Sequence, residues 1–524
     1  MSSISTSSRR RVPSRPKRRA SAARQRQTRR PHRLERHCRQ RLTHKAQLAA
    51  RKLRRLHQAL PTPARSLFDA LKDAFSFPTF LRFFVLALAS ILTVGSRTVS
   101  NLLRTLGTLA PGHPSSYHRV FCKRCWSSWR IAHALANWVF AHLVPQGRVL
   151  LAGDDTVEEH PGAKVFGKGC HRDPVRSTHS FTAYRWGHKW VVLAVLVRFP
   201  FSRRQWALPL LVALYRNPAK TKTAKTKKKP TKKRSPGPKQ KKTSKDRPRH
   251  KTPARLLRQL CCVLLRWFPR RQFLLSGDGG YGSHEMACFA SRRHGRLHLV
   301  SKFHPQARLY ELPPAYAGNG RPRVKGQKLP TPQEVVASSP RQLCHVAWYG
   351  GGRRDVAIVT GTAQWYKAGD GLVEVRWVFV ADQTGTHREE YFFTTAVALS
   401  AVEVIETYVG RWNEETTFQE MRAHLGLETT RGRKAETVLR VAPCLFGLYT
   451  VVVGLYSQLP KRYQQVRGVN WAGKQDTTFS DAITAVRQYL WREWVFAIPG
   501  YKPAFAKLTQ AFRSLLLHAL APAV

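Results

Sequence analysis

Two stretches of this chain cannot enter any packed core, and their positions constrain everything between them. Residues 1–55 hold 20 Lys and Arg against one acid, Glu35. Residues 220–251 hold 16 Lys and Arg against one acid, Asp246, with Pro and Thr interspersed (TKKKPTKKRSPGPKQKKTSK). Blocks of like charge repel themselves and lack the apolar side chains that would offset the entropy of ordering. The first is expected to be a disordered basic arm, 1–60. The second is expected to be a disordered Lys-rich loop, 217–253, extruded from whatever folds around it. Any fold must therefore tolerate an interruption near its middle.

What remains is still basic. The 524 residues carry 91 Lys+Arg and 29 Asp+Glu, a formal net charge of +62. Without the two blocks, 55 bases face 27 acids, a net +28. That excludes a neutral enzyme with basic tails. A hydrophobic share of 42% with 14 Trp excludes a wholly disordered chain. A field of this sign implies a polyanionic partner, with nucleic acid first and an acidic membrane surface behind it.

Nine Cys, an odd number thinly spread, argue against a disulfide framework and for a reducing compartment. Cys122-Lys-Arg-Cys125 has no second ligand pair at zinc spacing, so it reads as two unrelated thiols on a helix. The apolar run from Phe83 to Gly95 is too short to span a bilayer, so no membrane partner is expected. No phosphate-binding G-x-x-x-x-G-K-[ST] appears, which argues against a nucleotide cofactor, and no G-x-S-x-G elbow suggests a serine hydrolase. The Arg- and Ser-rich start superficially resembles a transit peptide. A nucleic-acid-binding arm is simpler, and the expected location is cytoplasmic, associated with the nucleoid.

Apolar spacing divides the rest. Residues 61–146 read as a helical DNA-binding domain, with Leu67, Leu71, Phe75 and Leu81, Phe84, Val85, Leu88 at helical intervals. The texture changes at Arg148, and 147–295 is expected to begin an α/β core. There Arg148–Asp154 reads as a strand, and Phe181–Arg185 with Trp190–Val197 as a hairpin around a Trp-Gly-His-Lys turn. A helix is expected over Gln205–Tyr215, another over Leu256–Trp267, and a buried strand at Phe273–Ser276. Residues 296–398 look like a β-rich insertion. Helices are expected at Ala401–Leu425 and Pro443–Leu459 within 399–460, and a helical extension over 461–524.

The chemistry lies in three acids. Asp154, in Gly153-Asp154-Asp155-Thr156, and Asp278, in Gly277-Asp278-Gly279-Gly280-Tyr281, each follow a short buried strand, and strand ends are where ligand sites form in open sheets. Taken singly, each reads equally as a turn. Tyr408, Arg411 and Glu415 stand at i, i+3 and i+7 and share one helix face, with Arg411 placed to hold Glu415 ionised. Carboxylates gathered in a basic protein need a counter-charge. A divalent cation supplies it and suits phosphodiester chemistry.

These residues resemble an insertion-sequence transposase of the DDE type, an RNase H-like family with a β-rich insertion before its last acid. The family carries a Tyr-x2-Arg-x3-Glu-x6-Lys signature. Tyr408, Arg411 and Glu415 match it, and Arg422 stands at the Lys position, keeping the charge but changing the grip on a phosphate. Asp154-Asp155-Thr156 resembles the family's Asp-x-Thr, with Asp155 remaining an alternative ligand, and Asp278 with Tyr281 resembles its Asp-x-x-Tyr. The resemblance implies an α/β, RNase H-like mixed-sheet core, preceded by the helical domain and the basic arm. It implies catalytic Asp154, Asp278 and Glu415 holding two Mg²⁺ or Mn²⁺ ions. Tyr408, Arg411 and Arg422 would contact DNA, and so would Lys227, Lys228, Lys229, Lys232 and Lys233 of the loop. It further implies cutting of transposon ends, joining of 3′-hydroxyls to target DNA, and a homodimer in the synaptic complex. Trp348 and Trp365 fit either a base contact or the core. The other readings are a non-catalytic DNA-binding protein derived from a transposase, and an RNase H-like nuclease without strand transfer.

Overall fold

The computed structural model describes residues 62–522 except 174–175, 218–249, 317, 319 and 470, with isolated positions between 47 and 58. Residues 60–524 form one compact unit, separate from residues 1–59. That unit holds the sheet, the helices packed on it and all three candidate acids. Most of the expected basic arm lies outside the described residues. So does the stretch of the Lys-rich loop that contains Lys227, Lys228, Lys229, Lys232 and Lys233.

Among the described residues, five helices open this unit: α1 (Thr62–Lys72), α2 (Phe77–Leu92), α3 (Val99–Leu106), α4 (Pro114–Cys122) and α5 (Ser128–His142). Their apolar stripes account for them. α2 starts with a Pro in its first turn and buries Phe80, Phe83, Leu86 and Leu88 among others. The side chain of Thr98 caps α3 by accepting from the Asn101 N–H. α4 ends at Cys122, where Lys123 leaves helical geometry, so Cys125 lies beyond the helix and the two thiols do not share one.

Eleven strands of the described residues then form one sheet. They are β1 (Val149–Glu159), β2 (Gly169–Arg172), β3 (Tyr184–Val197), β4 (Trp206–Tyr215), β5 (Phe273–Gly277), β6 (Leu297–Lys302), β7 (Leu309–Tyr310), β8 (Gln342–Ala347), β9 (Arg353–Lys367), β10 (Gly371–Asp382) and β11 (Glu390–Thr394). Its heart runs β4-β3-β1-β5-β6. β3 is antiparallel to both β4 and β1, β5 is parallel to β1, and β6 is parallel to β5. That is the RNase H-like mixed sheet, so the fold is α/β as expected. The strands of 296–398 extend this same sheet, because β11 pairs with β6, β10 with β11, and β9 with β10.

Two local expectations fail. Trp186-Gly-His-Lys is not a turn: β3 runs straight through it. Its polar residues find partners, His188 in the Phe166 carbonyl of the β1–β2 connection (2.9 Å) and Lys189 in Asp155 of β1 (2.7 Å). Gly187 is small because β1 passes close by, and a Cβ there would run into the Glu158 carbonyl. The helix expected over Gln205–Tyr215 is absent: Trp206–Tyr215 form β4 instead. Trp206, Ala207 and Leu208 are fully buried as an outer neighbour of β3. Pro209 has no N–H to donate, and it sits where the pairing with β3 shifts register, the kind of place a strand tolerates proline.

The remaining helices are α6 (Pro253–Trp267), α7 (His284–Ser291), α8 (Pro332–Ser338), α9 (Ala401–Gly410), α10 (Trp412–Leu425), α11 (Ala435–Ser457), α12 (Lys461–Gln464), α13 (Phe479–Tyr489), α14 (Lys502–Lys507) and α15 (Gln510–Leu520). α11 is long and apolar enough to cross a membrane, but 61% of that stretch is buried inside the fold, against β4 and α13. It is the central core helix. The helix expected over 401–425 is broken into α9 and α10 at Arg411, whose N–H reaches back only to the Tyr408 carbonyl (3.1 Å). The C-terminal extension acquires a structural role. Arg487 on α13 is fully buried and donates to the Ile91 and Thr93 carbonyls at the end of α2 (2.8 and 3.3 Å), which closes the helical layer.

Candidate active site

The β1–β5 pairing is parallel and in register from Val149 opposite Phe273 to Gly153 opposite Gly277. The next residue along each is an acid, so Asp154 and Asp278 stand side by side. Asp278 lies just past the end of β5. Asp154 lies midway along β1, which does not end there as expected but runs on to Glu159 because β3 continues to pair with it. β1 has an antiparallel neighbour on one side and a parallel one on the other. A crevice opens where sheet topology reverses, and ligand sites form there.

The helix pair α9–α10 lies over that crevice and brings the third acid. Arg411, between the two helices, is its hub. Its guanidinium is hydrogen-bonded to Asp154, lies 3.2 Å from Glu415 and 3.7 Å from Asp278, and is almost wholly buried. Tyr408 donates its hydroxyl to Asp278 (3.3 Å) and stacks on Phe392. Thus the structure brings together Asp154, Asp278, Glu415, Tyr408 and Arg411. It does not bring Arg422 to the same point. That guanidinium is engaged by Glu428 (3.1 Å), by the Thr156 hydroxyl and by the Val157 carbonyl (3.3 Å), two to three residues further along β1.

Asp155 faces away from Asp154, as strand alternation requires. Lys189 holds one of its carboxylate oxygens (2.7 Å) and the Tyr281 hydroxyl donates to the other (3.0 Å). The Tyr of Asp-x-x-Tyr therefore serves to pin Asp155. Of the two tryptophans, Trp365 packs in the core against Phe303, Phe393 and His284. Trp348 is half-buried beside Tyr349 and His387.

Electrostatics distinguish these groups. Burial pushes the Asp154 carboxyl up to about 7, against the pull of Arg411. Burial also raises Glu415, again opposed by Arg411. Burial pulls the Arg411 guanidinium down, yet the surrounding carboxylates outweigh it and hold Arg411 above its usual value. Three groups were not anticipated. Glu414 is fully buried and, among the described residues, has no hydrogen-bond partner on either oxygen. It is raised well above the ordinary carboxylate range, first by burial and then by Asp154. It stands three residues after Arg411, so helical period alone could have placed it inward. Lys189 and Lys302 (the latter paired with Glu390 at 2.5 Å) come from the sheet and carry no local signal.

Among the described residues, no three His, Cys, Asp or Glu side chains are grouped tightly enough to hold a metal ion as they stand. The donor set nonetheless fits a hard divalent cation. Three carboxylates converge on a single guanidinium, and the most buried of them is costly to ionise without more positive charge.

No curated protein matches the chain. Among solved structures it is similar to a piggyBac transposase synaptic complex with hairpin DNA, at 9% identity, covering 85% of this chain and 77% of that one. The TM-score of 0.36 is too low to argue from. A family model described as DDE superfamily endonuclease matches residues 70–355. The match takes in Asp154 and Asp278 and stops short of α9, so the place of Glu415 rests on the geometry. With more than half of its length covered by that model, the chain belongs to the DDE superfamily endonucleases.

Proposed function

We propose that this protein is a DNA transposase that cuts the ends of its element and joins the 3′-hydroxyls to target DNA. The observation that carries the reading is the convergence of Asp154, Asp278 and Glu415 on Arg411 from the middle of β1, the end of β5 and one helix. Asp154, rather than the already pinned Asp155, would join Asp278 and Glu415 in holding Mg²⁺ or Mn²⁺, two ions in all. When bound, the ions supply activation of the attacking oxygen and charge compensation on the leaving oxygen.

The chain's own residues do the rest. Arg411 keeps three like charges together in the free protein. Its planar fork also has the geometry that would grip a phosphate oxygen of the DNA. Tyr408 orients the Asp278 carboxylate. Lys227, Lys228, Lys229, Lys232 and Lys233 add sequence-independent, salt-sensitive attraction to the backbone. Synapsis of two ends would need two copies, and a basic protein acting on chromosomal DNA would work in the cytoplasm, at the nucleoid.

The test is a reaction on DNA flanking the element, in Mg²⁺ and in EDTA, with Glu415→Gln beside the wild type. Metal-dependent cuts at the element ends, absent in the variant, and joining of the cut 3′ ends to a second duplex are expected. Cuts without joining would make it a nuclease. Binding with no cuts in either metal would make it a non-catalytic DNA-binding protein.

A further inference from the structure

Three aromatic side chains at the outer end of β3 stand out into solvent. Phe181, Tyr184 and Trp186 are 63–65% exposed, while Trp190, four residues further along the same strand, is buried. Single exposed aromatics are ordinary, but three within six residues form a surface. The surface is firmly held. The Asp173 N–H donates to the Ala183 carbonyl (2.9 Å), and Thr178 and Phe181 close a tight turn on each other (2.8 and 3.1 Å). Arg185, on the opposite face of β3, anchors the buried Asp173 (3.1 Å).

The direction of these rings matters. Asp154 pairs with Val192 across the β1–β3 ladder, so the two side chains share a face. Counting back by twos, Trp190, His188, Trp186 and Tyr184 lie on that face as well. The aromatics therefore lie on the same sheet face as Asp154, roughly 20 Å further along the strand at about 3.4 Å per residue, beyond the buried His188 and Trp190. The Tyr184 partner on β2 is Arg172, which is exposed, and Arg176 stands exposed in the adjoining loop.

We propose that Tyr184 and Trp186, flanked by Phe181, form a stacking platform for the unpaired bases of a DNA strand whose phosphates are held by Arg172 and Arg176. The proposal rests on the DNA-processing reading above and gives that site a second, remote contact. Paired bases present only their edges, so exposed ring faces select single-stranded DNA. The net charge of +62 favours a polyanion, and a second copy of this chain would bring the same positive surface against its own. Because Phe181 is held by Thr178 and Tyr184 and Trp186 sit on a paired strand, little is lost in arranging the rings.

The experiment uses the full chain and a 12-nucleotide oligo-dT carrying one 2-aminopurine, with the matching duplex as control. Binding is read by anisotropy and stacking by quenching of 2-aminopurine. The Tyr184→Ala/Trp186→Ala double variant should bind the single strand at least about tenfold more weakly and lose the quench, given the usual worth of base–aromatic stacking. Its duplex affinity should change less than twofold, and Trp186→Phe should keep both signals. Equal losses on single strand and duplex would overturn the platform, and so would no loss on either. A fall in oligomeric mass of the double variant would instead assign the patch to a second copy. Cleavage of element ends by the wild type is scored separately. A quench that depends on Trp186 without any cleavage would retire the transposase reading and leave the platform standing.

Discussion

Arg411 is the most informative residue to remove, and Arg411→Met is the variant that keeps its bulk while deleting its charge. Losing one partner of a buried ion pair usually costs about 3–5 kcal/mol, because the other charge is stranded. That figure assumes the stranded charge persists. Here it need not, since burial already pushes Asp154 up to about 7. The folded state binds this proton more tightly than the unfolded chain does. Its effect on stability is therefore least harmful at low pH and grows as pH rises, until the group ionises near 7. In the wild type the decline stops there. In the variant, Asp154 holds its proton to higher pH, so the decline continues at about 1.4 kcal/mol per pH unit. Near pH 7 the two proteins should differ little. By pH 9 the gap should widen by about 3 kcal/mol. Asp278 and Glu415 add little to this, because both are a third or more exposed and solvent screens them.

The assay is thermal unfolding in EDTA at pH 7, 8 and 9. For a unit running from Leu60 to Val524, an unfolding entropy of about 2 cal/mol/K per residue makes 1 kcal/mol worth roughly 1 °C. The gap in Tm should thus open by roughly 3 °C over two pH units. Adding Mg²⁺ at pH 9 should close most of it, because a ligand bound by the folded state stabilises by mass action and the variant offers it uncompensated carboxylates. A gap independent of pH would refute the reasoning, since Arg411 would then be contributing packing rather than charge. A gap that Mg²⁺ leaves untouched would mean the three carboxylates do not form a cation site.

Three further outcomes are expected from the same geometry. Glu158 is buried on β1, accepts from Trp190 and Thr430, and is pushed up to about 7 by burial. Wild type should therefore lose about 3 kcal/mol relative to Glu158→Gln as pH rises from about 4.5 to 7, with no further change above, read as a Tm difference between pH 4.5 and 8. Glu414 is buried without hydrogen-bond partners among the described residues, and burial favours its neutral form, so Glu414→Gln, a neutral group of the same shape, should shift Tm by less than about 1 °C and keep cleavage. Lost cleavage with unchanged Tm would instead put Glu414 among the metal ligands. Gly187→Ala should destabilise by about 1–3 kcal/mol in denaturant unfolding, because its Cβ meets the Glu158 backbone rather than a side chain that can move.

The site was more legible in the sequence than the sheet that builds it, and the reason is range. Tyr408, Arg411 and Glu415 lie within eight residues, and helical period alone puts them on one face. Even the break at Arg411 leaves that grouping intact, because both segments keep helical geometry through it. Asp278 is readable as a strand end, whereas the strand of Asp154 runs on to Glu159 because β3 pairs with it. The adjacency of the two acids depends on a parallel pairing across the whole Lys-rich loop, which no local pattern encodes. β4 shows the opposite failure. Trp206–Tyr215 is apolar on both faces, so periodicity cannot tell a buried strand from a helix, and the demand of β3 for an outer neighbour decides. Trp186-Gly-His-Lys carries every mark of a turn, and only the partners of His188 and Lys189 turn it into strand. Glu414 carries no signature of its own, while its neighbour Glu415 does.

Where the acids sit unites these observations. A chain with 91 bases and 29 acids has few carboxylates to spread over its surface, and several of them are buried: Glu158, Asp173, Glu414 and Asp481. Asp173 steadies the loop beneath the exposed aromatics, and Asp481 pairs with the buried Lys474 (2.7 Å). Asp154 sits with its neighbours around a guanidinium. Burying acids while exposing bases strips the outer surface of the groups that would repel a polyanion. It also concentrates negative charge at one crevice, where only a cation or Arg411 can offset it. The same arrangement would thus draw DNA to the protein and a divalent metal to the crevice, without either interfering with the other. On this argument, raising ionic strength should weaken DNA binding steeply while leaving the Mg²⁺-dependent rise in Tm nearly unchanged, because only the first interaction is made by exposed charges.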